Sequence, residues 1–277
     1  MKTITLKEDA IHSGNLILVN AHYPCRDNTA ERTLLPVNTG TDKILLDSDA
    51  VKHLACLMDR INGWEQITTV SGWRSMQEQT DIYTDSLKDN GKTFTEKFVA
   101  HPGHSEHQTG LAIDLALKQE HIDFICPDFP YTGICQTFRH DAVSYGFIER
   151  YPANKESITG IAHEPWHFRY VGVPHAEIMV NNDFVLEEYI SFLKKYPRGK
   201  THYFHKTENE CITVSYLEAN RTADTQFEID DNNLYSVSGN NIDGFIITEC
   251  LYSHRRFNES VKRNGTSIII CSTSPRH

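Results

Sequence analysis

The stretch His104-Ser105-Glu106-His107-Gln108-Thr109-Gly110-Leu111-Ala112-Ile113-Asp114 limits the folds open to this chain more than any other. Leu111, Ile113 and Leu115 alternate with Ala112 and Asp114, a period of two that predicts a short strand with Asp114 on the face opposite the large apolar residues. The polar run before it places His107 in a loop at the head of that strand, so an imidazole and a carboxylate can converge on one point. A second stretch, His163-Glu164-Pro165-Trp166-His167, adds another imidazole and carboxylate on a second short strand. Two histidines, an aspartate and one spare glutamate are the inventory of a catalytic zinc site, which needs three protein ligands, an open position and a base nearby. Each stretch alone reads equally well as a polar loop beside a hydrogen-bonded strand carboxylate, and fifteen histidines make coincidence easy. The chain lacks H-E-x-x-H, which excludes the simple helical zinc-protease site.

With 277 residues there is room for one large domain, or for a domain of about 200 residues with a small appendage. A formal net charge of -10 argues against a nucleic-acid partner and against anionic membrane surfaces. No run approaches the roughly 18 apolar residues of a membrane span. The first nine residues, Met1 to Asp9, have no apolar core and turn acidic at once, which leads us to expect a cytoplasmic protein. Seven cysteines (25, 56, 126, 135, 211, 250 and 271) are scattered without a C-x-x-C pair, so reduced thiols are expected rather than a disulfide framework.

Along the chain, Asn15–Asn20 reads as a strand. Asp49–Ile61 carries apolar residues at helical spacing with Ser48 or Asp49 as its cap, and Gln66–Val70 reads as a buried strand. Ser75-Met76-Gln77-Glu78 is a capping-box pattern that opens a helix to about Leu87, so Arg74 sits between a strand end and a helix start. A short helix is expected over Thr137–Tyr145, strands over Phe147–Tyr151 and Trp166–Val171, and helices over Val173–Val180 and Val185–Tyr196. After Pro197-Arg198-Gly199 the helical periodicity stops and strand candidates follow at Cys211–Tyr216, Phe227–Ile229 and Gly244–Thr248. The expected organisation is a domain over 1–197, a small β-rich extension over 198–250 and a poorly ordered tail over 251–277 that includes Ile268-Ile269-Ile270. The expected fold class is α+β, a central antiparallel sheet flanked by helices.

Ser105-x-His107-x-x-Gly110-x-Ala112-x-Asp114 and Glu164-x-Trp166-His167 resemble the paired signatures of the zinc D,D-peptidases of the VanX and VanY type. The likeness extends through Ser71-Gly72-Trp73-Arg74-Ser75 to Gln79 and covers roughly residues 10–195; it is greatest to the VanXY type, which combines D,D-dipeptidase and D,D-carboxypeptidase activity in vancomycin resistance. The resemblance implies one Zn2+ per chain held by His107, Asp114 and His167, with Glu164 as catalytic base and Arg74 facing the scissile carbonyl. Ser105 would help bind the terminal carboxylate of the substrate, and Gln79 would lie by its backbone. The implied substrate is the D-Ala-D-Ala dipeptide, or a peptidoglycan precursor that ends in it. His101, His104 and Glu106 fall outside the ligand positions and read as polar loop residues. His163 reads as a neighbour of the site or a solvated residue, and Trp166 as packing. Substrate reach is assigned to no loop, with Cys126–Cys135 and the loop around Asn28 as the candidates. Two other readings stay open: a phage-type endopeptidase cutting an L-Ala-D-Glu bond of the cell wall, and a zinc-holding peptidoglycan-peptide sensor without turnover. The presence of Glu164 disfavours the sensor.

Overall fold

In the computed structural model of the protein, the described residues are 1–26, 32–37, 44–207 and 210–253. The chain opens with β1 (Lys2–Leu6) and a 3-10 turn; the next strands among the described residues are β2 (Leu34–Pro36) and β3 (Leu45–Asp47). Helix α1 (Ser48–Arg60) is capped by Asp47, whose side chain accepts from the Asp49 amide, rather than by Ser48 or Asp49. β4 (Ile67–Ser71) leads through the Gly72–Arg74 turn into α2 (Met76–Asn90). Its capping box forms as the sequence predicts: Ser75 Oγ accepts from the Glu78 amide at 3.1 Å and the Glu78 carboxylate accepts from the Ser75 amide at 2.7 Å.

There follow α3 (Lys92–Phe98), a 3-10 turn over Glu106–Thr109, β5 (Ala112–Leu117) and α4 (Gly133–Ala142). β6 (Phe147–Tyr151), α5 (Glu156–Thr159), β7 (Glu164–Tyr170), α6 (His175–Asn181) and α7 (Leu186–Leu193) complete the central part. The C-terminal strands are β8 (Tyr203–Lys206), β9 (Glu210–Glu218), β10 (Thr225–Ile229), β11 (Leu234–Gly239) and β12 (Gly244–Ser253).

The central sheet has the order β4-β5-β7-β6, with every pair antiparallel. Strand alternation gives it two unlike faces. Leu111, Ile113, Leu115, Phe147, Trp166 and Phe168 face a core built with α1 and α4. The opposite face carries Asp114, His167, Arg150 and Arg169, all buried. Beside these, Ile148 and Val171 pack with α6 and α7 in a second core that also takes Val214, Tyr216 and Ile246 from the C-terminal strands. The second sheet has the order β11-β12-β9-β8. Its other face meets β1 and β10, where Phe227 and Ile229 pack on Phe245 and Ile247 with Ile4 and Leu6 against them.

Three readings of the sequence change here. Residues 1–6 were expected in the first unit, yet β1 pairs with β10 from Lys2↔Ile229 to Leu6↔Thr225. The pairing satisfies backbone groups that β10 would otherwise leave exposed on an edge and buries Ile4 and Leu6. The tail was expected from 251, yet β12 runs to Ser253; residues 254–277, including Ile268–Ile270, and the loop around Asn28 lie outside the described residues. Asn15–Asn20 was expected as a strand; Leu16–Val19 are buried but in no sheet. Side chains and a turn replace a neighbouring strand there. Arg169 donates to the Asn15 and Ile17 carbonyls at 3.1 and 2.9 Å, Asn241 donates to Leu18 O at 2.8 Å, and the Leu18 amide donates to Asn240 O at 3.2 Å. Asn241 also donates to Pro24 O at 2.9 Å, so one amide ties the extension to the segment beside the central sheet. Asn241→Ala strands these carbonyls and is expected to destabilise the protein by about 1–3 kcal/mol, read as a lower urea midpoint at unchanged m-value.

Candidate metal and peptidase site

The register of the central sheet builds the site. Asp114 on β5 stands directly opposite His167 on β7 and opposite Ser71 on β4, so the three side chains share one face. His107 reaches the same point from the 3-10 turn over Glu106–Thr109, which Gly110 closes at φ 73°. That left-handed conformation suits glycine, and a Cβ there would stand 2.8 Å from Leu34 Cδ2. The ligand atoms of His107, Asp114 and His167 lie within 4.8 Å of one another, and all three residues are buried. Asp114 Oδ2 is 3.1 Å from His107 Nε2, and Asp114 Oδ1 is 2.9 Å from His167 Nδ1.

Each ring nitrogen facing away from this point looks onto an oxygen. His107 Nδ1 lies 2.7 Å from the Gly72 carbonyl, so it carries the proton and leaves Nε2 as the donor to a cation. Gly72 is glycine for reasons of space, since a Cβ would come within 2.5 Å of Leu45 O. His167 Nε2 points at Glu106 Oε2, 3.7 Å away; among the described residues neither atom has a hydrogen bond of ordinary length. A carboxylate behind a ligand imidazole is the usual companion of a metal-binding histidine.

The electrostatics fit a cation. Burial alone would raise the carboxyl pKa values of Asp114 and Glu106. His107 and His167 hold Asp114 well below the usual carboxylate range, and Arg150 and Arg169 do the same for Glu106. Burial pushes His107 down to about 4, with Arg74 adding to the effect. Burial opposes protonation of His167 too, but the hydrogen bond to Asp114 and the carboxylate of Glu106 facing its other nitrogen outweigh it and raise the group to about 9. Glu164, at the head of β7, is pushed up to about 8 by burial and by its acidic neighbours Asp114 and Glu106. Its Oε2 is 3.8 Å from His167 Nδ1. A carboxyl group poised near neutral pH beside three ligands is a candidate general base.

Arg74 lies at the junction of β4 and α2. It donates from Nη2 to Asp114 Oδ2 at 3.1 Å, from Nε to Ser71 Oγ at 2.8 Å and from Nη1 to Gln79 Oε1 at 3.3 Å. Ser105, His107, Glu164, Trp166 and Arg74 line one cleft, whose apolar wall includes Phe98, Phe124 and Ile161. The stretch Cys126–Cys135 begins just past Phe124 and Ile125, which reach this cleft. Gln79, expected beside the substrate, is instead fully buried. Its amide is used up between Arg74 and the Ala100 carbonyl, to which it donates at 2.8 Å.

Glu106 is the largest departure from the sequence reading: it is no loop residue but a buried carboxylate between two fully buried arginines. The signal available was the pair Arg150 and Arg169, charged residues at strand positions that had to find an acidic partner. His104 is bonded through Nδ1 to the Asn20 carbonyl at 2.7 Å, and His101 to the Pro102 carbonyl at 3.0 Å. His163, next to Glu164 in the chain, lies 2.7 Å from the Tyr131 hydroxyl. Arg139 of α4 lies 3.9 Å over the Tyr131 ring; it donates to Glu149 at 2.5 Å and to the Pro165 carbonyl at 2.8 Å. That contact holds the β7 backbone directly after Glu164.

Comparison with known proteins gives a consistent answer. The VanY family, described as D-alanyl-D-alanine carboxypeptidase, matches residues 43–173. The bifunctional D-Ala-D-Ala dipeptidase and D-Ala-D-Ala carboxypeptidase VanXYC of Enterococcus gallinarum is 42% identical over 182 residues, 65% of this chain and 95% of that protein. The vancomycin resistance D,D-dipeptidase VanXYg, solved in complex with a D-Ala-D-Ala phosphinate analog, superimposes with a TM-score of 0.86 at 50% identity, over 90% of this chain and 98% of that one. A D,D-pentapeptidase VanY from a VanB-type resistance cassette, solved with Zn(II), superimposes with a TM-score of 0.53 at 30% identity, over 64% of this chain and 98% of that one. No helix among the described residues is long and apolar enough to cross a membrane. With its His-Asp-His cluster gathered at an antiparallel sheet and its match to nearly the whole of VanXYC, the chain belongs to the VanX/VanY family of D,D-peptidases.

Proposed function

We propose that this chain is a zinc-dependent D,D-peptidase that hydrolyses D-Ala-D-Ala and removes the terminal D-Ala of peptidoglycan precursors ending in D-Ala-D-Ala, as an enzyme of vancomycin resistance. The observation that carries the reading is the meeting of His107, Asp114 and His167 within 4.8 Å on the same cleft as Glu164 and Arg74. In this reading the three ligands hold one zinc ion through His107 Nε2, an Asp114 carboxylate oxygen and His167 Nδ1. The donor set fits the ion, since two imidazoles and a carboxylate leave a fourth position open, as catalytic zinc sites do. When bound, zinc supplies a Lewis acid that polarises a carbonyl and eases the deprotonation of water.

The chain's own residues do the rest. Glu164 accepts the proton of the attacking water and returns it to the leaving amine. The Arg74 guanidinium, held by Ser71 and Gln79, faces the oxygen on which negative charge develops, and its rigidity means that little reorganisation is needed as the charge forms. Gln79 acts on the substrate only through Arg74. Ser105, buried at the cleft, is assigned to the terminal carboxylate of the substrate. No serine or cysteine nucleophile is required; burial raises the thiols of Cys126 and Cys135 to about 11, which leaves both uncharged at neutral pH. The named relatives favour this reading over the cell-wall endopeptidase and the sensor, and no feature of the site favours either alternative.

Purified protein is expected to release D-Ala from D-Ala-D-Ala and from a pentapeptide ending in D-Ala-D-Ala, and to stop when zinc is chelated. Absence of zinc-dependent D-Ala release from both substrates refutes the reading. Glu164→Ala should keep its zinc, measured by metal analysis, and lose hydrolysis. Arg74→Ala should lower kcat by about 10²–10³. In metal-free protein, Glu164 has a pKa of about 8 against an ordinary 4.5, so the folded state keeps a proton that the unfolded state releases. The contribution is complete below about 4.5 and is lost as pH rises to about 8. The melting temperature of the metal-free wild type should therefore fall relative to Glu164→Gln across that window and then run parallel to it.

A further inference from the structure

Arg150 and Arg169 are both fully buried on the site-bearing face of the central sheet, and neither touches the cleft. Both close on Glu106: Arg150 Nε lies 2.9 Å and Arg169 Nη1 2.7 Å from Oε1. Arg150 then reaches outward. Its Nη1 and Nη2 donate to the two oxygens of Glu187 at 2.9 and 2.7 Å, a bidentate fork to the first turn of α7. The other Glu106 oxygen is left facing His167 Nε2. A continuous line of charged groups thus runs from α7 to the back of a candidate metal ligand.

Helix α7 is itself held by the second sheet. Tyr189, Ile190 and Leu193 share a core with Val214, Tyr216 and Ile246. His175 bridges the two layers, 2.8 Å from the Tyr189 hydroxyl and 3.1 Å from Thr248 Oγ1. We propose that Glu187 and Arg150 are positioning residues for His167, acting through Glu106, and that the C-terminal strands serve the metal site by fixing the helix that carries Glu187. The proposal rests on the reading that His167 binds the metal through Nδ1.

An imidazole that ligates through Nδ1 carries its proton on Nε2, and a carboxylate on that side sets both the tautomer and the plane of the ring. Glu106 can serve His167 only while its other oxygen is shared between two guanidinium groups at a fixed place. Glu187 supplies that fixity by satisfying the outer two nitrogens of Arg150. Without it, Arg150 has a single carboxylate partner and draws Glu106 away from His167.

The test is zinc affinity, measured on the full chain stripped of metal, by competition with a chromogenic chelator at a temperature where circular dichroism shows each metal-free form folded. Glu106→Gln should raise the zinc Kd about tenfold to a hundredfold. Glu187→Gln should raise it by a smaller factor. The double variant should bind no more weakly than Glu106→Gln alone, because the two act along one path. A zinc Kd for Glu187→Gln equal to that of the wild type overturns the proposal, as does a double variant whose losses multiply. If Glu106→Gln does not fold, Glu187→Gln decides alone. Failure of the wild type itself to bind zinc removes instead the metal-site reading beneath the proposal.

Discussion

The pairing of β5 with β7 is the constraint on which the site depends. It sets Asp114 across from His167 at 2.9 Å, and a slip of one residue would send one of the two into the apolar core. What forbids the slip is the opposite face. Ile113 and Leu115 on one strand and Trp166 and Phe168 on the other are buried against α1 and α4 and can occupy no other side. The apolar residues thus position the polar ones, and the precision of the candidate ligand set is inherited from ordinary core packing.

The cost of this arrangement is charge held out of water. Asp114, Glu106, Glu164, Arg150 and Arg169 are all buried and Arg74 is half-buried beside them; an unpaired charge at such depth would be strongly unfavourable. The protein answers by giving each cation an acidic partner and by leaving one carboxyl, Glu164, with a raised pKa and a view of the cleft. That exception is where the chemistry is assigned, which is consistent with perturbed groups clustering at functional sites.

Much of this was legible in the sequence. The period-two run around Asp114, the Glu164–His167 stretch and the Ser75–Glu78 box are local patterns, and local patterns survive without knowledge of partners. What escaped was long-range. Glu106 sits among polar neighbours in sequence and reveals its burial only once Arg150 and Arg169 arrive from other strands. β1 is an unremarkable run of alternating residues until β10 comes beside it. Leu16–Val19 has strand composition, but Arg169 and Asn241 supply its hydrogen bonds, so apolar content alone misassigned it. Gln79 was placed by resemblance near the substrate, and only the geometry shows both ends of its amide occupied.

The two grips on β7 have a further consequence. Arg139 holds the strand at Pro165 from the α4 side, while Glu106 backs His167 from the α7 side. Each flanking side thus adds a charged anchor at the reactive end of the strand to the apolar packing that sets its register. Positions outside that register-setting core can change in either layer as long as the anchor stays. A lineage could then remodel the outer surface of one half while the spacing of acid and imidazole on the strand between them is inherited intact.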